Sequence, residues 1–201
     1  MTRQFALPIQ QPPVPSLDNF VPGSNAELLA RLGELAAGRC EEAVIYLWGA
    51  PGSGRSHLLQ ASARQGVTLA DDVEQLGDTA QAELFSAINR ARETGTTVLA
   101  AGAAPPAQLA LREDLRSRLG WGLVYEVKPL TDAEKAVYLH AEAARRGLKL
   151  SDEVVWYLLT HVRRDMPSLG AILEHLDRAS LEQHRALTLP LVREALRALE
   201  P

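Results

Sequence analysis

The sequence predicts an α/β protein in which a parallel sheet is flanked by helices and followed by a small helical domain. Tyr46 to His57 runs from an apolar segment through a glycine-rich turn into the start of a helix. Between Val67 and Ala101, two more short apolar runs enclose a helical pattern, as in alternating βα units. From Leu130 onward only helical periodicity is present, which indicates a separate domain.

The composition indicates a folded chain and argues against a broad nucleic-acid-binding surface. The chain has 201 residues, 46% of them hydrophobic, and a formal net charge of −4 at pH 7. Affinity for DNA without sequence preference comes from clustered Lys and Arg, so direct DNA binding is not expected. A single cysteine, Cys40, excludes an intrachain disulfide, and no apolar run is long enough to span a bilayer. We therefore expect a cytoplasmic protein with no membrane partner.

The glycine-rich turn has the pattern of a phosphate-binding loop with one altered residue. Gly-x-x-x-x-Gly-Lys-Ser/Thr is matched except at the lysine, where Arg55 keeps the charge but offers a planar fork. Ser56 is placed to give its hydroxyl to Mg²⁺. The pattern predicts that a diphosphate is bound, with binding retained better than turnover. A turn without any ligand is the alternative. The predicted nucleotide-binding residues of this segment are Gly49, Pro51, Gly52, Ser53, Gly54, Arg55, Ser56 and His57.

The first sixteen residues are predicted to form an extended arm. They contain four of the twelve prolines and show no apolar periodicity. Within the arm, Gln4, Phe5 and Leu7 resemble the short peptides by which bacterial proteins dock on the sliding clamp of DNA polymerase III. The resemblance implies a clamp partner, and an untethered tail is the alternative.

The segment that follows is similar to the DnaA-type AAA+ family. Phe20, Gly23 and Asn25 form a Phe-x-x-Gly-x-Asn entry, which precedes a helix predicted from Ala26 to Ala37 with Ser24 or Asn25 as its cap. The loop ending Gly-Arg-Ser-His is typical of the Hda group, the short regulators within this family. The resemblance implies a P-loop AAA+ sheet and a helical lid, divided into an arm at 1–16, a nucleotide-binding domain at 17–129 and a lid at 130–201.

Two carboxylates follow the second apolar run and resemble the Walker B end of a strand. The resemblance implies that Asp71 holds the Mg²⁺ water shell and that Asp72 orients the attacking water. It also places Val21 in the nucleotide site. A turn or helix cap is the alternative for the two acids. Only about ten residues separate Ser56 from Val67, so we predict that one βα unit of the family is missing and that the sheet is narrow.

Ser117-Arg118-Leu119-Gly120-Trp121-Gly122 is similar to the family box that supplies an arginine finger. The resemblance implies that Arg118 acts on a nucleotide in a neighbouring subunit, and we expect it to be solvent-accessible at the protein's edge. Pairing with Asp114 at helix spacing is the alternative. Two other positions depart from the family, because Ala103 stands at the first sensor position and Pro167 at the second.

The resemblance implies a regulator of replication initiation that is tethered to the clamp and stimulates hydrolysis of DnaA-bound ATP. Its own site would hold ADP, or ATP, with Mg²⁺, and its own ATPase would be weak or absent. A homo-oligomer is possible, whereas sequence-specific DNA binding is not expected. A different class of function stays open, in which a degenerate AAA+ scaffold binds partner proteins without using nucleotide.

Overall fold

The computed structural model describes residues 14–183 and 187–197, with only the backbone described at Gln183. The predicted clamp-binding residues Gln4, Phe5 and Leu7 therefore lie outside the described residues. Four strands and eight α-helices make up the described chain. The strands are β1 (Val44–Trp48), β2 (Val67–Ala70), β3 (Thr97–Gly102) and β4 (Leu123–Glu126). The helices are α1 (Ala26–Ala36), α2 (Arg55–Ala61), α3 (Asp78–Thr94), α4 (Glu113–Leu119), α5 (Asp132–Arg145), α6 (Asp152–His161), α7 (Met166–Gln183) and α8 (Leu189–Arg197).

The four strands form one parallel sheet in the order β2-β3-β1-β4. The two central strands, β1 and β3, are continuous apolar runs that are almost entirely buried, as expected where helices cover both faces of a parallel sheet. The short segment between α2 and β2 contains no additional strand. This confirms the predicted narrow sheet, because the chain there is too short for another βα unit.

Alternate residues of β1 point into two separate cores. Val44 and Tyr46 pack on one face with residues of α3 and α4, whereas Ile45 and Leu47 pack on the other face with α1 and α2. This is the period-two alternation of a strand, here buried on both sides. The carboxyl ends of β1, β2 and β3 all meet at one edge of the sheet, which is where parallel α/β folds place their ligands.

The helical domain is a bundle of α5 to α8 with two apolar clusters of its own. Thr131 and Glu134 form a reciprocal capping box at the start of α5, and the Ser151 side chain caps α6 by accepting the Val154 backbone N–H. No described helix is long and apolar enough to cross a membrane.

Asn25 does not cap α1 through its side chain, contrary to the prediction. The residue occupies the cap position, but its side chain makes no capping hydrogen bond. It is buried instead, where its amide donates to the backbone oxygens of Pro22 and Lys128 and its oxygen accepts from the Lys128 backbone N–H. Asn25 therefore ties the start of α1 to the chain leaving β4. Sequence spacing could not show this bond, since its partner is distant in the chain.

Candidate nucleotide site

The predicted phosphate loop connects β1 to α2 at the carboxyl edge of the sheet. Gly54 has φ of +100°, a left-handed conformation that L side chains rarely adopt, and a Cβ there would lie 2.6 Å from the Phe20 ring. Gly49 is buried, and a Cβ there would lie 2.5 Å from the backbone oxygen of Val127. Both positions therefore require glycine, one for its backbone angle and the other for the close approach of β4.

Two polar side chains of the loop are buried without a hydrogen-bond partner among the described residues. They are the Ser53 hydroxyl and the Nη1 nitrogen of Arg55. The Arg55 side chain is only 10% exposed. Leaving such donors unpaired in the interior is unfavourable, so a buried cation and a hydroxyl beside a glycine-rich loop suit an anion such as a diphosphate. The residues present therefore fit the phosphate groups of a nucleotide.

The pair of carboxylates reaches this edge from the end of β2. Nη2 of Arg55 lies 3.7 Å from Oδ1 of Asp72, so the loop and the acidic pair meet across the sheet. Asp72 has φ of +44°, and it stands among the described residues as the one non-glycine with positive φ. Its side chain makes no capping bond to the 3-10 helix that follows. The backbone strain at this position is typical of residues held for function.

The predicted Mg²⁺-binding pair comprises Asp71 and Ser56. Asp71 follows the end of β2, and Ser56 lies at the start of α2. Oδ1 of Asp71 accepts the backbone N–H of Asp72 at 2.9 Å, and its side chain is half-buried. Ser56 is exposed in the first turn of α2. Both offer oxygen atoms, which are the ligands that Mg²⁺ prefers. The described parts of the chain contain no group of three or more His, Cys, Asp or Glu residues that could hold a metal ion.

A third carboxylate near the site, Glu74, was not predicted. Its Oε2 accepts the backbone N–H of Ala103 at 3.2 Å, which joins the loop after β2 to the end of β3. The buried Tyr46 hydroxyl donates to the Ala104 oxygen at 2.9 Å, and burial together with the Glu74 charge raises the pKa of Tyr46 far above its usual range. Glu74 stands three residues after Asp71, so the Asp-Asp-Val-Glu run was the signal that could have found it.

The segment before α1 covers the loop from the other side. The Phe20 ring lies against Gly54 and 5.6 Å from the His57 ring, centroid to centroid. His57 was predicted to bind nucleotide, and its Nε2 lies 3.0 Å from the backbone oxygen of Ser16. Val21, also assigned to the site, follows Phe20 and is half-buried. These contacts hold the chain that follows the arm against the first turns of α2.

The lid approaches the loop through the start of α7. Asp165 lies nearest to Gly52, with about 4.0 Å between its Cβ and the position of a Cβ on that glycine. Its carboxylate accepts the Ser168 backbone N–H at 2.9 Å and pairs with Arg163 at 3.2 Å. Burial raises the pKa of Asp165, but the hydrogen bonds from Ser168 outweigh this and hold the pKa below its usual range. The lid therefore presents an acidic group beside the phosphate loop.

Arg118 lies on α4, which packs on the face of the sheet opposite to α2. Its surroundings differ from the prediction. The residue is half-buried, and its Nη1 is buried with no hydrogen-bond partner among the described residues. Its guanidinium lies over Trp121, 3.8 Å from the ring centroid. The side chain that was expected to be solvent-accessible is therefore only partly exposed. Pairing with Asp114 is not found either, because that carboxylate binds Arg112 at 2.7 Å.

Comparison with known proteins gives a family match for the helical domain and structural matches for the fold. Residues 132–196 match the family model of the Hda lid domain. Domain III of the Thermotoga maritima replication initiation protein DnaA superimposes with a TM-score of 0.72 at 20% identity, over 94% of this chain and 99% of that one. AMPPCP-bound DnaA from Aquifex aeolicus gives 0.71 at 20% identity, over 85% of this chain and 67% of that one. The chain therefore has the AAA+ fold, and residues 132–196 match the Hda lid domain.

The AAA+ fold is shared more widely. The Thermotoga maritima RuvB Holliday junction branch migration motor matches with a TM-score of 0.68 at 18% identity, over 92% of this chain and 72% of that one. The chain also spans 66 to 69% of two further initiator structures, one of them bound to AMPPCP and single-stranded DNA. These likenesses confirm the predicted P-loop AAA+ fold and its helical lid.

Two positions near the site carry no polar side chain. Ala103, which follows β3, is exposed, and its backbone N–H is already bonded to Glu74. Pro167 lies in the first turn of α7 and is exposed. Neither methyl group nor proline ring can donate a hydrogen bond or a charge to a phosphate. The two side chains that the family resemblance implies as nucleotide sensors are therefore chemically inert here.

Proposed function

We propose that this chain regulates replication initiation by stimulating hydrolysis of ATP on a DnaA-type initiator. In this proposal, Arg118 acts in trans on the partner's nucleotide, the chain's own site holds ADP or ATP with Mg²⁺, and the N-terminal arm binds the sliding clamp. The Hda-type lid and the DnaA-like core support a DnaA-type partner. Arg118 carries the proposal, because its guanidinium has no hydrogen-bond acceptor among the described residues.

The chain's own nucleotide site rests on Ser53 and Arg55. Their buried, unpaired donors match the oxygens of a diphosphate, and Ser56 and Asp71 would hold the Mg²⁺. The bound metal would neutralise phosphate charge. With Ala103 and Pro167 inert, these residues are expected to bind the diphosphate part of a nucleotide and to respond little to a third phosphate. We expect slow turnover at this site.

The proposed catalytic role of Arg118 rests on its lack of a hydrogen-bond acceptor among the described residues. Neither a carboxylate nor a backbone oxygen among the described residues takes a hydrogen bond from its guanidinium, although Arg112, the residue before α4, is paired. A fixed guanidinium brought to a transferring phosphoryl group is worth about 10³–10⁵ in turnover in systems that use an arginine finger. Arg118 needs a neighbouring subunit to meet such a group.

The decisive experiment measures hydrolysis of initiator-bound ATP in the presence of clamp loaded on DNA. Arg118→Ala should return the rate to that of the initiator alone, while melting temperature and clamp binding stay unchanged. Arg112→Ala is the matched control, because it removes an arginine next to α4 whose charge is already paired with Asp114. Equal rates with wild type and Arg118→Ala would refute the proposal.

A scaffold that uses no nucleotide is the second candidate, and the contact between Arg55 and Asp72 favours it. This ion pair engages the loop's only arginine internally, at 3.7 Å, and both sensor positions are inert. A scaffold predicts no change in melting temperature with ADP or ATP and Mg²⁺, and no loss of activity in Arg118→Ala. A clear thermal shift with ADP would exclude it.

A further inference from the structure

The Arg118 guanidinium is held between two aromatic rings. Its Cζ lies 3.8 Å from the Trp121 ring centroid and 5.4 Å from that of Phe85. Both distances are within the range of cation–π attraction, which is strongest for tryptophan. The Trp121 ring is also approached by Arg92 on α3, at 5.1 Å. The contact to Trp121 is thus the shortest of three between arginines and aromatic rings in this cluster.

The backbone explains why Trp121 reaches back over Arg118. Helix α4 ends at Leu119, and the Trp121 backbone N–H donates to the Arg118 oxygen at 3.2 Å, so the chain turns back on itself. The next residue, Gly122, leads into β4 and lies so close to β1 that a Cβ on it would clash with the backbone oxygen of Val44. The position of Trp121 is therefore set by the sheet on one side and by the end of α4 on the other.

Stacking on a ring orients a guanidinium without using its N–H groups. A carboxylate partner would accept hydrogen bonds from the donors that a phosphate needs, whereas an aromatic face attracts the cation through its ring quadrupole. The described residues provide Arg118 with rings and with no carboxylate. This arrangement limits the rotamers of a long side chain and leaves its N–H donors without an acceptor among the described residues.

We propose that Trp121 is a positioning residue, which holds the Arg118 guanidinium in the orientation that a partner's phosphate requires. The proposal rests on the function proposed above, in which Arg118 acts in trans. The Phe85 ring also contacts the Arg118 guanidinium, at the longer distance of 5.4 Å, and supports the same orientation. Trp121 itself is 57% exposed, so its replacement should leave the core intact. Its effect should appear in turnover rather than in partner affinity.

The test compares Trp121→Leu, Trp121→Phe and Trp156→Leu, with Arg118→Ala as the reference. Trp156 is the matched control, because it is a tryptophan of the lid with a similar exposure of 52%. Trp121→Leu should lower the maximal rate of initiator-bound ATP hydrolysis by about fivefold or more, as expected for loss of a cation–π contact. The concentration for half-maximal stimulation should not change. Trp121→Phe should restore most of the rate, and Trp156→Leu should match wild type.

Other outcomes would overturn the inference. Equal maximal rates for Trp121→Leu and Trp156→Leu, or a change confined to the half-maximal concentration, would make Trp121 an ordinary surface or interface residue. A loss in Trp121→Leu that phenylalanine does not repair would also contradict the stacking role. If Arg118→Ala has no effect, the proposed function fails instead.

A second measurement needs no partner. NMR relaxation of the arginine Nε–H groups in the isolated chain should show that Arg118 is ordered in the wild type and in Trp121→Phe. In Trp121→Leu the same group should become mobile on the nanosecond timescale. An equally ordered Arg118 in the leucine variant would overturn the positioning role, whatever the hydrolysis assay shows.

Discussion

Arg55→Met should have opposite effects on the stability of the free protein and on its response to ADP. The Arg55 side chain is 10% exposed, and its Nη1 has no hydrogen-bond partner among the described residues. An unpaired buried donor costs about 1–3 kcal/mol, and methionine fills similar space without one. The free energy of unfolding without nucleotide should therefore stay equal or rise by up to about 2 kcal/mol. The loss of the contact to Asp72 should matter little, since that carboxylate is 47% exposed.

The stabilisation of the folded protein by ADP should be smaller in Arg55→Met than in the wild type. A hydrogen bond from a charged donor contributes about 1.5–3 kcal/mol, which corresponds to a roughly 10- to 100-fold weaker complex. At an ADP concentration of about 100 times the wild-type Kd, the nucleotide stabilises the wild type by about 2.7 kcal/mol. The same concentration should stabilise Arg55→Met by only about 0.4–1.4 kcal/mol. Denaturant unfolding with and without ADP and Mg²⁺ measures both quantities.

Arg64→Met is the matched control for this prediction. Nη1 of Arg64 donates to the backbone oxygens of Leu35 and Ala36, both at 2.6 Å, at the end of α1. Its replacement should lower the free energy of unfolding by about 1–3 kcal/mol and leave the ADP response unchanged. The reasoning would be refuted if Arg55→Met behaved like this control, because Arg55 would then be a structural residue.

Two further predictions concern the lid and the arm. Asp165→Ala should destabilise the protein by about 1 kcal/mol at pH 7, because the first turn of α7 loses its cap, whereas Asp165→Asn should retain most of the stability. Since the folded-state pKa of Asp165 is lowered, the part of this gap that comes from the carboxylate charge should persist down to about pH 4 and shrink only as the pH falls further. Urea unfolding across this range measures the gap, and a gap that shrinks already above pH 5 would contradict the assignment. Replacing Gln4 and Leu7 together with alanine should abolish binding to the immobilised clamp without changing the melting temperature, and unaltered binding would show that the peptide is accidental.

Local patterns in the sequence determined most of the fold. The apolar run before Gly49 predicts a buried strand, and the glycine-rich turn after it predicts a loop that leads into a helix. The short distance from Ser56 to Val67 is a limit on chain length, so it correctly predicted a narrow sheet. The lid helices followed from the apolar periodicity after Leu130, because such a stripe must face a core. All of these features depend on neighbours in the chain, which the sequence displays directly.

Contacts between distant segments were decided only by the tertiary structure. The order β2-β3-β1-β4 brings Arg55 to Asp72, and no local pattern states which strands are adjacent. Asn25 has the residue type of a helix cap, yet a buried bond to Lys128 outcompeted that role. Arg118 has a carboxylate at helix spacing, but the aromatic rings of Phe85 and Trp121 surround it instead. The partner of a side chain is decided by tertiary packing. Packing brings together residues that are far apart in the sequence, so the spacing between them does not reveal the contact.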